Sequence, residues 1–392
     1  MRVRFGQWSA EEERERQRLC RGAREAWQAL RAGDEGKASS LMQLLDSRVE
    51  LTLRREPEVS AAIAELSALE PEAWVVAELL LAQAPEDLDC VLALGRMAVP
   101  LALALAEVQK SHEVELEGAS LRAGFGRGHL LEITLGVPGG LGSENEQNAA
   151  ENLVRAVLGD RLFETWIGAV HVTAAPRRSS LRVLDINAPR TTLHLRELFD
   201  TVSAAVRGVL AGLPAYMSDV ESPSLEERIV EGVANGAPRE DWTLLEIEPM
   251  ADTSGVRKDD LLLASTCTPE LLRCYLDGSP CASRRFSRTE QFVFVSYEDD
   301  ESNMQARVAR RSAIEAALAD CIAGEGTVTG VGLGAKTTYV DLALCNLETG
   351  LPRLVSKLRD VRAPVHTFIQ FFDTELGDEW LSIWPDSRLT EG

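Results

Sequence analysis

The chain has 392 residues, of which 45% are hydrophobic, so it is long enough for two or three domains with cores of their own. Its net charge of −21, from 62 acidic and 41 basic side chains, is spread along the whole length, which excludes a detachable acidic tail. Such a field repels phosphate backbones and anionic lipid and attracts basic proteins. We therefore predict no direct nucleic-acid binding and no membrane binding. The charge either attracts a basic partner or only aids solubility.

The cysteines indicate a reducing compartment. There are seven, an odd number, and none forms a CxxC pair, so we predict reduced thiols and a cytoplasmic protein. Cys267, Cys274 and Cys281 recur every seven residues, but Pro269 and Pro280 prevent one helix from carrying all three on one face. Zinc ligands usually come in closer pairs, so we predict core thiols, no metal and no cofactor.

We predict neither a signal peptide at the start of this sequence nor a membrane span within it. Residues 1–8 are short and mixed, and residues 11–18 are densely charged. The most apolar stretch is residues 91–108. Arg96 and Pro100 interrupt it, and the apolar segments that remain are too short to cross a bilayer.

Residues 1–110 are predicted to form a helical region. Ser9 and Glu12 have the spacing of a capping box, and Leu19 and Trp27 belong to a helical apolar pattern that ends at Gly33. Proline suits the first turn of a helix. Three prolines therefore predict helices at 58–69, 72–83 and 86–107.

Residues 111–250 are predicted to form a first α+β block. Ser143 with Glu146 indicates the start of a helix at 143–158, and apolar spacing predicts a second helix at 195–213, before Pro214. Strands are predicted at 128–135, 166–172, 181–186 and 242–247.

Residues 251–289 are predicted to connect this block to a second one at residues 290–392. The second block has predicted helices at 302–323 and 351–361. Its strands are predicted at 291–297, 327–333, 338–344 and 365–372, with 380–384 extending the sheet.

Both blocks run β-α-β-β-α-β, the order of a ferredoxin-like arrangement, so the sequence predicts an internal duplication within an α+β fold. Asp185 and Asp341 fall at matching places in the fourth element of each block. Since strand faces alternate, we expect both carboxylates to face water, and a buried one would instead be a candidate acid or base.

The strongest chemical motif is a near match to a phosphate-binding loop at residues 330–337. Ala335 stands where that loop needs its second glycine, and a strand rather than a helix is predicted to follow. We therefore predict a glycine-containing strand or bulge. The five histidines have no metal-ligand spacing, although His171 and His366 lie in predicted strands.

Two acidic clusters follow predicted strands and are the candidate partner-binding residues. Acid beside exposed tryptophan suits a protein interface, because the ring supplies contact area and the charge steers a basic partner. Solvated loops with core tryptophans are the alternative. The candidates are Glu298, Asp299, Asp300 and Glu301 in the first cluster, and Asp373, Glu375, Asp378, Glu379, Trp380 and Trp384 in the second.

Three functions are compatible with these patterns. The first is a non-catalytic protein-binding protein, such as an immunity or inhibitor protein that neutralises a basic toxin or nuclease. The second is an intracellular scaffold or regulatory module, which could also form a homodimer through the edge strands of its sheets. The third is an enzyme with scattered active-site residues, for which Asp185, Asp341, His171 and His366 are the first candidates.

Overall fold

The computed structural model describes residues 4–5, 9–55, 62–138, 140, 142–175, 193–214, 216–217, 243–247, 260–299 and 303–384. These residues form a mixed α and β structure, as predicted. The chain divides into two compact units, one of residues 17–211 and one that joins residues 1–16 to residues 212–392.

Helix α1 (Ala10–Arg31) starts at the predicted capping box and leads into the unit of residues 17–211. The Ser9 amide donates to Glu12 at 2.7 Å and the Glu12 amide donates to the Ser9 hydroxyl at 3.2 Å. Leu19 and Trp27 are buried, and the Trp27 indole donates to the Leu80 carbonyl at 2.8 Å. Helices α2 (Glu35–Leu45), α3 (Trp74–Leu81) and α4 (Leu101–His112) follow in this unit.

The prediction that residues 1–110 are only helical is wrong, because three strands occur there. Strands β1 (Val49–Arg54) and β2 (Ala62–Ala68) pair antiparallel, and β2 pairs in parallel with β3 (Cys90–Leu94). β2 lies between two strands and is buried along almost its whole length, so it lacks the alternation that marks a half-exposed strand. Its alanines and leucine favour a helix locally, and strand pairing on both edges overrides that preference.

A second sheet in the same unit has the strand order β6-β5-β4-β7. Helix α5 is capped by Ser143 and Glu146 as predicted, and α5 and α6 connect the parallel strands β5 and β6. The strands are β4 (Ser120–Phe125), β5 (Leu131–Pro138), β6 (Ile167–Ala175) and β7 (Leu193–His194). The helices are α5 (Glu144–Leu158), α6 (Asp160–Trp166) and α7 (Leu198–Gly212).

The unit of residues 212–392 contains a seven-stranded antiparallel sheet of order β14-β13-β10-β12-β11-β9-β8. The strands are β8 (Thr243–Glu246), β9 (Leu261–Thr266), β10 (Gln291–Glu298), β11 (Gly326–Gly334), β12 (Thr337–Leu344), β13 (Thr367–Phe371) and β14 (Trp380–Ser382). The helices are α8 (Pro269–Leu276), α9 (Met304–Ile322) and α10 (Leu347–Asp360).

Within this sheet, residues 291–371 follow the predicted order β-α-β-β-α-β, but the predicted ferredoxin-like duplication is not confirmed. The sheet of the first block includes β4, which the sequence did not predict, and a parallel pair. β8 was predicted to end the first block and instead pairs with β9 in the seven-stranded sheet. The predicted connector carries β9 and α8 in its described part. Local patterns identify strands, whereas long-range pairing decides which sheet they join.

The seven-stranded sheet is covered on both faces. Phe292, Phe294 and Tyr339 pack with α8 in one apolar cluster. On the opposite face a Cβ added to Gly350 of α10 would lie 3.2 Å from Leu344, so this helix packs closely against β12. Two covered faces explain why most positions of β10 and β12 are buried rather than alternating.

The glycines of the phosphate-loop-like motif lie in the β11–β12 hairpin, which confirms the predicted glycine-containing strand. A Cβ at Gly330 would lie 2.7 Å from the Asp341 carboxylate and 3.0 Å from the Thr266 hydroxyl. A Cβ at Gly334 would collide with the Asp260 carboxylate. The glycines therefore leave room for two buried carboxylates and do not cradle a phosphate.

Candidate functional site

The first acidic cluster lies where β10 ends, and its two described residues differ in exposure. Glu298 is exposed, whereas Asp299 is buried and accepts a hydrogen bond from Arg310 of α9 at 2.7 Å. The Asp299 amide donates to the Lys336 carbonyl, which ties this strand end to the β11–β12 hairpin. Asp300 and Glu301 lie outside the described residues. Asp299 thus acts within the fold, and Glu298 is the described member that is open to a partner.

The second cluster begins at Asp373, which stabilises the turn at Ser283–Arg285. The Asp373 carboxylate accepts hydrogen bonds from the Ser283 amide at 2.5 Å and from its hydroxyl at 2.7 Å. Burial raises the pKa of Asp373 to about 6, although the two bonds from Ser283 favour the ionised form and lower it. Glu375 forms an ion pair with Arg284 at 3.1 Å. Both carboxylates are partly buried and fasten one loop to another.

Glu379 is buried and holds a segment from the other end of the sequence. Its two carboxylate oxygens accept hydrogen bonds from the backbone amides of Arg4 and Phe5, each at 2.9 Å. The Phe5 ring stacks on Phe371 of β13 with 5.0 Å between ring centroids. Asp378, the preceding acidic residue, is exposed. The Arg4–Phe5 segment is therefore anchored by one carboxylate and one ring.

The two candidate tryptophans are partly buried and make contacts within the unit. Trp380 meets Phe368 edge-on with 5.5 Å between centroids. The Trp384 indole donates to the carbonyls of Ala363 at 3.1 Å and Pro364 at 3.0 Å. These contacts favour the alternative of core tryptophans over that of fully exposed aromatic anchors.

An open cavity of about 690 Å³ lies beside the Arg4–Phe5 segment. Its apolar walls come from one face of α10, with Leu351 and Val355, from Leu381 of β14, and from Phe5. Charged groups at its edge include Glu348, Asp360, Arg4 and Arg359. We call this cavity the α10 groove.

Sequence patterns alone did not identify the α10 groove. Its lining brings Arg4 and Phe5, near one end of the sequence, together with residues of α10 and β14, near the other end. The one local signal is the basic and aromatic segment Arg2–Phe5 in an otherwise acidic chain.

Asp341 is buried, which corrects the expectation that it faces water. It lies in β12 opposite Phe294 and Gly330, and its side chain reaches over the glycine toward Thr266. Asp185, its proposed counterpart, lies outside the described residues. Asp341 is therefore buried at the sheet centre, where Gly330 leaves room for it, and it keeps the candidate acid or base role expected of a buried carboxylate.

Asp260 is a second buried carboxylate, and it fixes the β11–β12 hairpin. It accepts hydrogen bonds from the Lys336 amide at 2.9 Å, the Thr337 amide at 3.0 Å and the Tyr339 hydroxyl at 3.1 Å. Three donors compensate for the burial of this group.

The candidate catalytic residues do not converge within the described part of the chain. His171 and His366 are both exposed, whereas Asp341 is buried. The α10 groove includes none of the three. Among the described residues, no group of three or more His, Cys, Asp or Glu side chains has a metal-binding arrangement.

No family model, curated protein or solved structure matches the chain. Across the described ranges, no helix has both the length and the apolar character needed to cross a membrane.

An acidic loop that is not among the candidates predicted from the sequence joins α4 to β4. Glu113, Glu115 and Glu117 alternate with Val114 and Leu116. The two apolar side chains pack on the core of the unit, so the three glutamates face solvent. The alternation of glutamate with an apolar residue at every second position is visible in the sequence and is the signal that could have identified this loop.

The acidic loop is held at its start by hydrogen bonds between α4 and α5. The Asn145 side chain donates to the His112 carbonyl at 2.8 Å, and the Asn152 amide lies 2.8 Å from the His112 ring nitrogen Nε2. Of the described basic side chains, none pairs with Glu113, Glu115 or Glu117. The loop therefore presents, from an anchored backbone, three carboxylates that no described basic side chain neutralises.

Proposed function

We propose that this chain is a non-catalytic protein-binding protein whose partner is basic. A specific form of the proposal is an immunity or inhibitor protein that neutralises a basic toxin or nuclease. The observation that carries it is the acidic loop, where three solvent-facing glutamates are fixed by the inward packing of Val114 and Leu116. Charge of this kind steers encounter with a cationic surface and adds to the attraction of a net charge of −21.

Of the candidate partner-binding residues, the described carboxylates that are exposed are Glu298 and Asp378. Asp299, Asp373 and Glu375 make contacts within the fold, so we assign them structural roles, whereas Glu379 holds the Arg4–Phe5 segment. We therefore propose that exposed carboxylates, rather than the C-terminal cluster of acidic residues and tryptophans, form the interface. The acidic loop is its best-defined part.

Recovery of a partner from the native host tests this proposal. The tagged full-length chain is used as bait in extracts at low and at high salt. We expect a basic protein at low salt and less of it at high salt, because exposed charges are screened. Failure to recover any basic protein at low salt would contradict the proposal.

A scaffold that dimerises through sheet edges is the second candidate, and the terminal position of β8 supports it. β8 ends the seven-stranded order, and Leu244 in it is 52% exposed. An exposed edge offers backbone groups for pairing with another chain. Light scattering that gives the mass of one chain across a range of concentrations would argue against this candidate.

We further infer that residues 291–371 form a ferredoxin-like unit. The order β13-β10-β12-β11 and the antiparallel pairing of these strands support this classification, together with the intervening helices α9 and α10. A fold of this kind does not identify an activity.

A further inference from the structure

We infer that the site that holds the Arg4–Phe5 segment, together with the α10 groove beside it, is a peptide-binding site, and that this segment is an intramolecular ligand that competes for it. The external ligand we assign is an extended segment of a partner protein in which a basic residue precedes an aromatic one. This inference deepens the proposed protein-binding function and rests on it for the existence of a partner.

The contacts of the Arg4–Phe5 segment resemble those of a bound peptide. Two consecutive backbone amides donate to the two oxygens of one buried carboxylate, Glu379, each at 2.9 Å. The Phe5 ring stacks on Phe371 at 5.0 Å, and the Arg4 guanidinium carbon lies 5.2 Å from the centroid of the Phe5 ring. Backbone capture with one aromatic anchor is a common mode of peptide recognition.

The α10 groove has room beyond these two residues. Its volume of about 690 Å³ lies within the range of sites that enclose a small molecule or several side chains. Leu347, Leu351 and Val355 recur every four residues along α10, so one apolar stripe follows the groove. β14 is the terminal strand of the sheet order, and its Leu381 lines the opposite wall.

The charges of the groove favour a basic ligand. Glu348 and Asp360 line it, and Glu379 accepts the backbone amides of Arg4 and Phe5, two residues that lie against it. Arg359 also lines the groove, but its Nε donates to the Ile383 carbonyl at 2.8 Å and so connects α10 to the segment after β14. The chain's own residues 2–5, Arg-Val-Arg-Phe, have the basic and aromatic character that we assign to the partner segment.

A labelled peptide of residues 1–8 tests the assignment by fluorescence anisotropy on the full-length chain. We expect the peptide to bind the Phe5→Ala chain at least tenfold more tightly than the wild-type chain, because the variant segment competes poorly. A peptide with alanine in place of its phenylalanine should bind at least tenfold more weakly. Absence of peptide binding to a folded Phe5→Ala chain would overturn the assignment.

Variants of the groove separate specific from nonspecific binding. In the Phe5→Ala background, Glu379→Gln should reduce peptide affinity at least tenfold, whereas Glu325→Gln, an exposed carboxylate of the same unit, should not. If the Glu379 variant does not fold, Leu381→Lys replaces it and should also abolish binding. Equal affinity for the Glu379 and Glu325 variants would overturn the assignment.

Two further outcomes can be told apart from binding of a partner segment: dimerisation of the chain through the groove, and failure of the groove alone. A wild-type dimer that becomes a monomer in the Phe5→Ala chain would assign the groove to the segment of a second copy, and would overturn the partner assignment. Because the peptide assay uses only this chain's residues, the groove can fail while a basic partner is still recovered. In that case the proposed function stands without the groove.

Discussion

At the scale of single residues, the buried carboxylates of the seven-stranded sheet explain features that its sequence left open. Asp260 and Asp341 lie against Gly334 and Gly330, and Asp299 pairs with Arg310. Each of these carboxylates is buried. Hydrogen-bond donors surround it, or a neighbouring glycine leaves the space that it occupies. The acidity of the chain therefore has two parts, one that builds the fold and one that faces water.

Asp260→Ala should strongly destabilise the unit of residues 212–392. The change leaves the Lys336 and Thr337 amides and the Tyr339 hydroxyl without their acceptor, which should cost about 3 kcal/mol or more. Urea unfolding measures the loss. The exposed Asp360→Ala is the control and should change stability by less than about 0.5 kcal/mol. A similar small change for both variants would contradict the role of Asp260.

Asp373 should make stability fall as pH rises. Burial raises its folded pKa to about 6 from an ordinary value of 3.8, so the folded state binds the proton more tightly than the unfolded state. The stabilisation from this group is fully present below pH 3.8 and is lost as pH rises through about 6.

The comparison that isolates this effect is with Asp373→Asn, which keeps an acceptor for Ser283 but does not titrate. Relative to the variant, the wild-type free energy of unfolding should fall by about 2 kcal/mol between pH 4 and pH 7. Urea titrations at several pH values measure it. A difference that is constant, or that grows with pH, would contradict the raised pKa.

At the scale of elements, β11 is a strand that requires glycine where a neighbouring carboxylate crosses it. Gly330→Ala should destabilise the fold by about 1–3 kcal/mol, because its Cβ would lie 2.7 Å from Asp341 and 3.0 Å from Thr266. The control is Gly212→Ala at the end of α7, where no atom lies within 4 Å of the added Cβ. Thermal unfolding compares the two variants, and a Gly330 variant as stable as the control would show that the strand accommodates a side chain.

Element prediction succeeded where a local signal decides the structure. The capping residues Ser9 and Ser143 marked the starts of α1 and α5, and aromatic and β-branched residues marked β10. It failed for β1–β3, because burial of β2 between two partners removes the alternation of a strand. The anchor at Glu379 could not be predicted, since its partners Arg4 and Phe5 are about 375 residues away.

At the scale of the whole molecule, the net charge of −21 is the property that most constrains the function. Carboxylates that pair internally, such as Asp299 and Glu375, add little to the field outside the protein. The glutamates of the acidic loop have no such neutralisation from described residues. Binding of a basic partner should therefore weaken with salt, and the dependence should be smaller when the loop is neutralised.

The most direct test of this account is the affinity of the recovered basic partner for two charge-matched variants, measured by titration calorimetry at two salt concentrations. One variant combines Glu113→Lys, Glu115→Lys and Glu117→Lys, and the other makes the same change at exposed Glu25, Glu86 and Asp89. We predict that the loop variant loses at least tenfold in affinity and much of the salt dependence, while the control loses far less. Equal losses in both variants would show that net charge alone matters, and would contradict the acidic loop as the binding surface.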